Sequence, residues 1–163
     1  SIDYPETAVF RDTRLVTFLR RPADQPPVRF YERLEPAVFV LRLVPGMRAD
    51  IIPLLAPRYR ALVLESFGVG GLPGGEHGEM FAALRRWCES GRLAVFTTQV
   101  PHEGCDLAVY EVGRAVGELP GVLEARDMTP EAVAVKLMWA LGQTEDREKA
   151  ARLFETPIEY DIM

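Results

Sequence analysis

Two strand-like runs, Ala61 to Phe67 and Leu93 to Gln99, each pass directly into a loop and then into a helix-forming stretch. A strand that returns to its neighbour through a helix must lie parallel to it, so this order dictates a parallel α/β unit. Ligands in open parallel sheets gather at the carboxyl ends of the strands. The two loops that matter are therefore Ser66-Phe67-Gly68-Val69-Gly70-Gly71-Leu72-Pro73 and Thr97-Thr98-Gln99-Val100-Pro101.

Further elements extend the pattern. Ala37 to Val44 reads as a buried strand that stops at Pro45-Gly46, and Ile51 to Leu55 as a short helix ended by Pro57. From Gly78 to Ser90, Met80, Phe81, Leu84, Trp87 and Cys88 recur at helical spacing, and Gly91 supplies the carboxyl-terminal stop. A second stripe of Ala108, Val109, Val112, Ala115 and Val116 predicts a helix opening near Asp106, whose carboxylate suits its amino end. Val122 to Ala125 is a weaker strand. Thr129 then caps a helix with Pro130 in its first position and Val133, Leu137, Met138 and Leu141 on its buried face. A last helix runs from a Thr144 cap to about Phe154.

Connections of about 15 to 25 residues between these strands require right-handed crossovers, which put helices on both sides of the sheet. The expected fold is α/β in three layers, with a small parallel sheet of about four strands. Residues 1–33 differ: Pro5, Pro22, Pro26 and Pro27, many charges and only short β-like pieces at Arg14 to Leu19 and Val28 to Glu32 mark an interdomain or extended segment. Residues 34–156 form the α/β domain, and 157–163 a tail.

A chain of 163 residues with 48% apolar side chains can bury one good core. The net charge of −5 and the dispersed arginines give no basic stripe, which argues against nucleic acid and anionic membrane as partners. No apolar run reaches the roughly 20 residues of a membrane helix. Cys88 and Cys105 form no disulfide framework and suit a reducing, cytoplasmic setting. Seventeen arginines against two lysines reflect codon usage and carry no functional inference.

The glycine loop Gly68-Val69-Gly70-Gly71 permits a sharp turn and leaves amides free to approach a bound group, but it lacks dinucleotide spacing and Pro73 intrudes before the helix. Its plain reading is turn geometry. His102 and Cys105 have metal-like spacing without a second ligand pair, so they read as loop packing, and no metal site is expected. Asp106 and Glu111 do not share a helix face, which excludes a carboxylate dyad; Asp106 reads as a cap. Trp87 and Trp139 are packing residues, and His77 lies in a helix-entry loop. Ser66 and Thr98, at strand ends, are either ligand contacts or hydroxyls that satisfy backbone.

In order, Leu62-Val63-Leu64-Glu65-Ser66-Phe67-Gly68-Val69-Gly70-Gly71-Leu72-Pro73, Thr98-Gln99, Tyr110-Glu111-Val112-Gly113-Arg114, Asp127-Met128-Thr129-Pro130-Glu131-Ala132 and Lys136-Leu137-Met138-Trp139-Ala140-Leu141 make a specific series. It resembles the carboxyl-terminal domain of the L-asparaginase family, nearer the cytoplasmic, type I branch, from about Leu34 to Phe154. The resemblance implies a two-domain amidohydrolase that converts asparagine to aspartate and ammonia with no cofactor. It places the threonine nucleophile and its partners in an amino-terminal domain, in Thr-Gly-Gly-Thr and Gly-Thr-Asp turns. Neither turn occurs here, so no catalytic residue is expected in this chain and no amidase activity from it alone.

The same resemblance implies roles in a subunit interface and in closing an active site, with Glu65, Ser66, Gly68, Gly70, Gly71, Thr98 and Asp106 as substrate- or effector-loop candidates. Expected partners are the absent amino-terminal domain, a second copy in a homodimer, and an amino acid. Where some relatives carry an arginine, an asparagine and a cysteine, this chain has Glu65, Gly71 and Val100, so allosteric asparagine binding is expected to be weak or absent. Two other readings stand beside this one: a free-standing amino-acid-binding regulatory module, and the equivalent domain of a tRNA-dependent amidotransferase subunit.

Overall fold

A computed structural model describes residues 1–2, 5–19, 27–75 and 77–162. Four parallel strands, β3 (Val38–Arg42), β4 (Ala61–Ser66), β5 (Leu93–Thr98) and β6 (Val122–Glu124), lie side by side in that order. The registers pair Ala61 with Leu93, Ser66 with Thr98 and Arg42 with Glu65. Between them run α1 (Ile51–Leu55), α2 (Glu79–Glu89) and α3 (Glu111–Gly117), followed by α4 (Pro130–Gln143) and α5 (Arg147–Glu155).

Strand alternation sorts the core into two. Leu62, Leu64, Ala94 and Phe96 face one side and pack with α1, α2 and α3 through Ile52, Leu84, Trp87 and Val116. Ala61, Val63, Leu93 and Val95 face the other and pack with α4 and α5 through Val133, Leu137, Ala150 and Phe154. A strand covered on both faces must be apolar at every position, which is why β4 and β5 read as continuous runs. The three-layer α/β fold read from the sequence is the fold observed.

The strands are shorter than expected by one to three residues, and two helix starts differ. α3 begins at Glu111, not near Asp106. The Asp106 carboxylate accepts from the Ala108 amide at 2.8 Å and the Glu124 carboxylate from the Leu107 amide at 3.2 Å, so the amides that would open a helix are held in a loop. Val109 is consequently half exposed, and only Val112, Ala115 and Val116 of the stripe pack inward. α5 is capped by Asp146, whose carboxylate takes the Glu148 and Lys149 amides at 2.9 and 3.1 Å. Thr144 instead ends α4, and its hydroxyl accepts from the Asp146 amide. The Thr129 cap of α4 is as expected, with its hydroxyl 3.3 Å from the Ala132 amide.

On the buried face of α4, Met138 is only half-buried while Lys136 is buried, its ammonium 2.7 Å from the Asp161 carboxylate. That pair, with the buried Ile162, docks residues 157–162 onto the domain.

The amino-terminal segment is not wholly irregular. β1 (Ala8–Arg11) and β2 (Arg14–Thr17) form an antiparallel hairpin, and the Ile2 amide donates to Asp127 O at 2.9 Å. Val28 to Glu32 forms no strand; Tyr31 meets Trp139 edge-on at 5.2 Å between ring centroids. Residues 20–26, with Pro22 and Pro26 of the expected interdomain or extended segment, lie outside the described residues. Phe10, Leu15, Phe18, Val28, Phe30 and Leu34 are all more than half exposed.

Candidate functional site

The carboxyl ends of β3, β4 and β5 carry the candidate loops, and backbone carbonyls hold them together. Gln99 joins all three strands: its side-chain amide donates to Leu43 O at 2.6 Å and to Glu65 O at 2.8 Å, and its own amide donates to Ser66 O at 3.2 Å. Sequence reasoning places Gln99 in a motif without giving it a role. Its only signal is a long polar side chain directly after a buried strand.

The glycine loop turns back on itself through a bridge between Phe67 and Gly71. The amides of Gly70 and Gly71 both donate to Phe67 O, at 3.1 and 2.8 Å. Both amides thus close the turn. Gly68 adopts φ +50°, a region that favours glycine. Gly70 adopts φ +153°, and a Cβ there would stand 2.8 Å from the tip of the Leu107 side chain at Cδ2.

The second loop is fastened onto the first. The Thr98 hydroxyl donates to Gly68 O and accepts from the Val100 amide at 3.0 Å. The Asp106 amide donates to Val69 O at 3.0 Å, and the Cys105 thiol to the same carbonyl at 3.5 Å. Ser66, wholly buried, donates to Thr97 O at 2.8 Å. The hydroxyls of Ser66 and Thr98 therefore serve the backbone. Neither donates to a base, so neither is an activated nucleophile.

The thiols are equally quiet. Burial pushes Cys105 up to about 12, with Glu124 and Asp106 adding to the rise, and burial pushes Cys88 up to about 11. No group of three or more metal-ligating side chains exists among the described residues. His102 is exposed and takes no part.

Of the seven candidates, Gly68, Glu65 and Asp106 keep surface toward solvent, and Gly71 in part. The Glu65 carboxylate lies 3.5 Å from the Arg42 guanidinium of the neighbouring strand, with side-chain exposures of 16% and 64%. The pair offsets part of the negative charge of a mostly buried carboxylate, and its arginine end is open to screening by salt. The result is a closely packed, mildly acidic wall on which, among the described residues, no nucleophile, base or oxyanion donors are gathered.

A wall of this construction belongs to a recognised domain type, because residues 37–154 match the family model of the glutaminase/asparaginase C-terminal domain. This chain belongs to that family. Over 163 residues, 99% of its length, it is 37% identical to an L-asparaginase of Thermococcus kodakarensis and spans 48% of that protein. It is 35% identical over 159 residues to a subunit of the glutamyl-tRNA(Gln) amidotransferase of Metallosphaera sedula, covering 94% of this chain and 35% of that protein. The solved thermostable L-asparaginase from Thermococcus kodakarensis superposes on all of this asparaginase C-terminal domain with a TM-score of 0.88 at 34% identity, over 49% of that chain. The domain thus spans about half the length of the asparaginase it matches and about a third of the amidotransferase component.

Proposed function

We propose that this domain completes an L-asparaginase-like amidohydrolase, in which it builds a subunit interface and closes the active site while another domain holds the nucleophile. The observation that carries this reading is the state of the hydroxyls and the thiol at the sheet's carboxyl edge. Ser66 and Thr98 are spent on carbonyls, and Cys105 is held as a neutral thiol. Such an edge can bound a site but cannot attack an amide.

The proposed whole reaction is asparagine to aspartate and ammonia, without a cofactor, in the cytoplasm. The last point is supported by two free cysteines, and no helix among the described residues is long and apolar enough to cross a membrane. Glu65, Gly68, Gly71 and Asp106 are the proposed lining of the closed site, with Ser66, Gly70 and Thr98 shaping it from behind. Glu65 in place of a cation supports weak or absent effector binding by asparagine. The exposed Phe10, Phe30 and Leu34 supply apolar surface for an amino-terminal domain or a second copy, and support a homodimer.

The test is ammonia release from asparagine. The isolated chain is expected to release none above background, and a measurable turnover would overturn the assignment. Calorimetry with asparagine extends the test, with no saturable heat expected.

One finding favours a second reading. The 35% identity to a component of a glutamyl-tRNA(Gln) amidotransferase supports membership of a similar assembly. Retention of a second amidotransferase component and tRNA through purification under native conditions would favour it over the free amidohydrolase.

A further inference from the structure

The opposite, amino-terminal edge of the sheet holds an open cleft of about 360 Å³, within the range of about 300 to 1,000 Å³ usual for small-ligand sites. Four arginines line it: Arg58 and Arg60 from the turn before β4, Arg92 from the turn before β5, and Arg147 from the first position of α5. Glu145 is the one acidic residue of the lining. We propose that this cleft binds a small oxyanion carrying two or more negative charges, of the diphosphate class.

Two of the arginines, Arg92 and Arg147, are held by groups that leave their charge intact. Arg92 donates from Nε to Tyr59 O at 3.2 Å and from a terminal nitrogen to Ala56 O at 2.8 Å, and its guanidinium lies 5.2 Å from the centre of the Trp87 ring. Arg147 donates to Cys88 O at 3.2 Å. These carbonyls sit near the ends of α1 and α2, so both side chains first serve as helix stops. A carbonyl is a dipole rather than a counter-ion, and a guanidinium has five N–H groups, so fixed donors remain. Among the described residues Arg58 has no side-chain partner.

Arg60 shows where an anion would sit. It is held by Glu35 at 3.0 Å on one side and reaches the Glu145 carboxylate at 2.8 Å on the other. Glu145 is 90% exposed, and a pair so open is weak. Its carboxylate is an internal stand-in that an incoming oxyanion displaces. Guanidiniums fixed beforehand bind such a group without a large ordering cost, and their forked donors match phosphate oxygens.

The experiment is calorimetric titration of the purified chain with pyrophosphate at low salt, with acetate as the singly charged control. One-site saturation is expected with pyrophosphate and none with acetate. Arg58→Gln and Arg147→Gln should each weaken binding about tenfold, and Glu145→Gln should tighten it about threefold. Arg58 and Glu145 are exposed, so those two variants keep the fold, which circular dichroism checks. No saturation, equal binding of acetate, or affinities unmoved by Arg58→Gln and Glu145→Gln would each overturn the proposal. None of these outcomes bears on asparagine hydrolysis, which concerns the other edge.

Discussion

At the carboxyl ends of the sheet the loop after β5 is tied to its neighbours after β3 and β4 by neutral groups, the Thr98 hydroxyl, the Gln99 amide and the Cys105 thiol, which all reach backbone carbonyls. At the amino ends of the same strands the ties are charged: Arg92 and Arg147 reach the carbonyls of Ala56, Tyr59 and Cys88, and Arg60 bridges Glu35 and Glu145. The neutral edge packs closely and keeps few donors for a ligand. The charged edge stays open and keeps several. One sheet therefore offers a surface suited to being covered at one end and a solvated, cationic recess at the other.

The neutral edge should be the easier to break by volume. A Cβ at Gly113 would stand 2.4 Å from Leu107 O and 3.0 Å from Leu107 Cα, and backbone cannot yield as a side-chain tip can. Gly113→Ala should cost about 3 kcal/mol or more and lower the melting temperature by about 10 °C. Thermal unfolding checks it, and a fall under about 2 °C would show that the 99–110 loop is looser than its contacts indicate.

The charged edge should break by loss of a single head group. Arg92→Ala removes two donations to carbonyls and the cover over Trp87, and should cost about 2 to 3 kcal/mol in urea unfolding. Arg92→Lys should recover little of it, because an ammonium cannot span two carbonyls as a fork does.

The sequence makes the layers readable and hides the ties. Apolar runs such as Leu62-Val63-Leu64 announce a strand buried on both faces, and Thr129-Pro130 announces a helix start, because both signals are local. Thr98 to Gly68, Gln99 to Leu43 and Arg147 to Cys88 join residues 30, 56 and 59 positions apart, and nothing local says which carbonyl a side chain will find. The arginine recess is invisible for the same reason. Arg58, Arg60, Arg92 and Arg147 look dispersed along the chain, and the parallel crossovers bring them to one edge. The start of α3 is misleading in sequence because its apolar stripe continues backward through Ala108 and Val109, while Asp106 and Glu124 hold the preceding amides in a loop.

A gentler change sharpens the comparison at the neutral edge. Thr98→Val keeps the shape of the side chain but deletes its donation to Gly68 O and leaves the Val100 amide without its acceptor. The expected cost is about 1 to 2 kcal/mol. Hydrogen exchange should quicken at Gly70 and Gly71 more than in β4, since the tie fixes the loop and not the strand. Uniform acceleration would mean that the hydroxyl supports the whole sheet.

Acidity should separate the two edges with the smallest effects. At the charged edge, the Ala37 amide and then Arg60 hold the Glu35 carboxyl below its usual value. A depressed carboxylate adds stability that is present above its unfolded value, near 4.5, and is lost as pH falls through the folded one. At the neutral edge, Cys105 is raised from 9.0 to about 12, so its contribution is present below pH 9 and is lost as pH rises toward 12. Glu35→Gln should therefore flatten the acid limb of a stability profile and leave the alkaline limb alone. Cys105→Ala should do the reverse, with a residual alkaline slope from Cys88, itself raised to about 11. If Glu35→Gln lowered stability equally at pH 4 and pH 8, the Ala37 and Arg60 contacts would not distinguish the charged carboxylate from a neutral amide, and the amino edge would be held by shape rather than by charge.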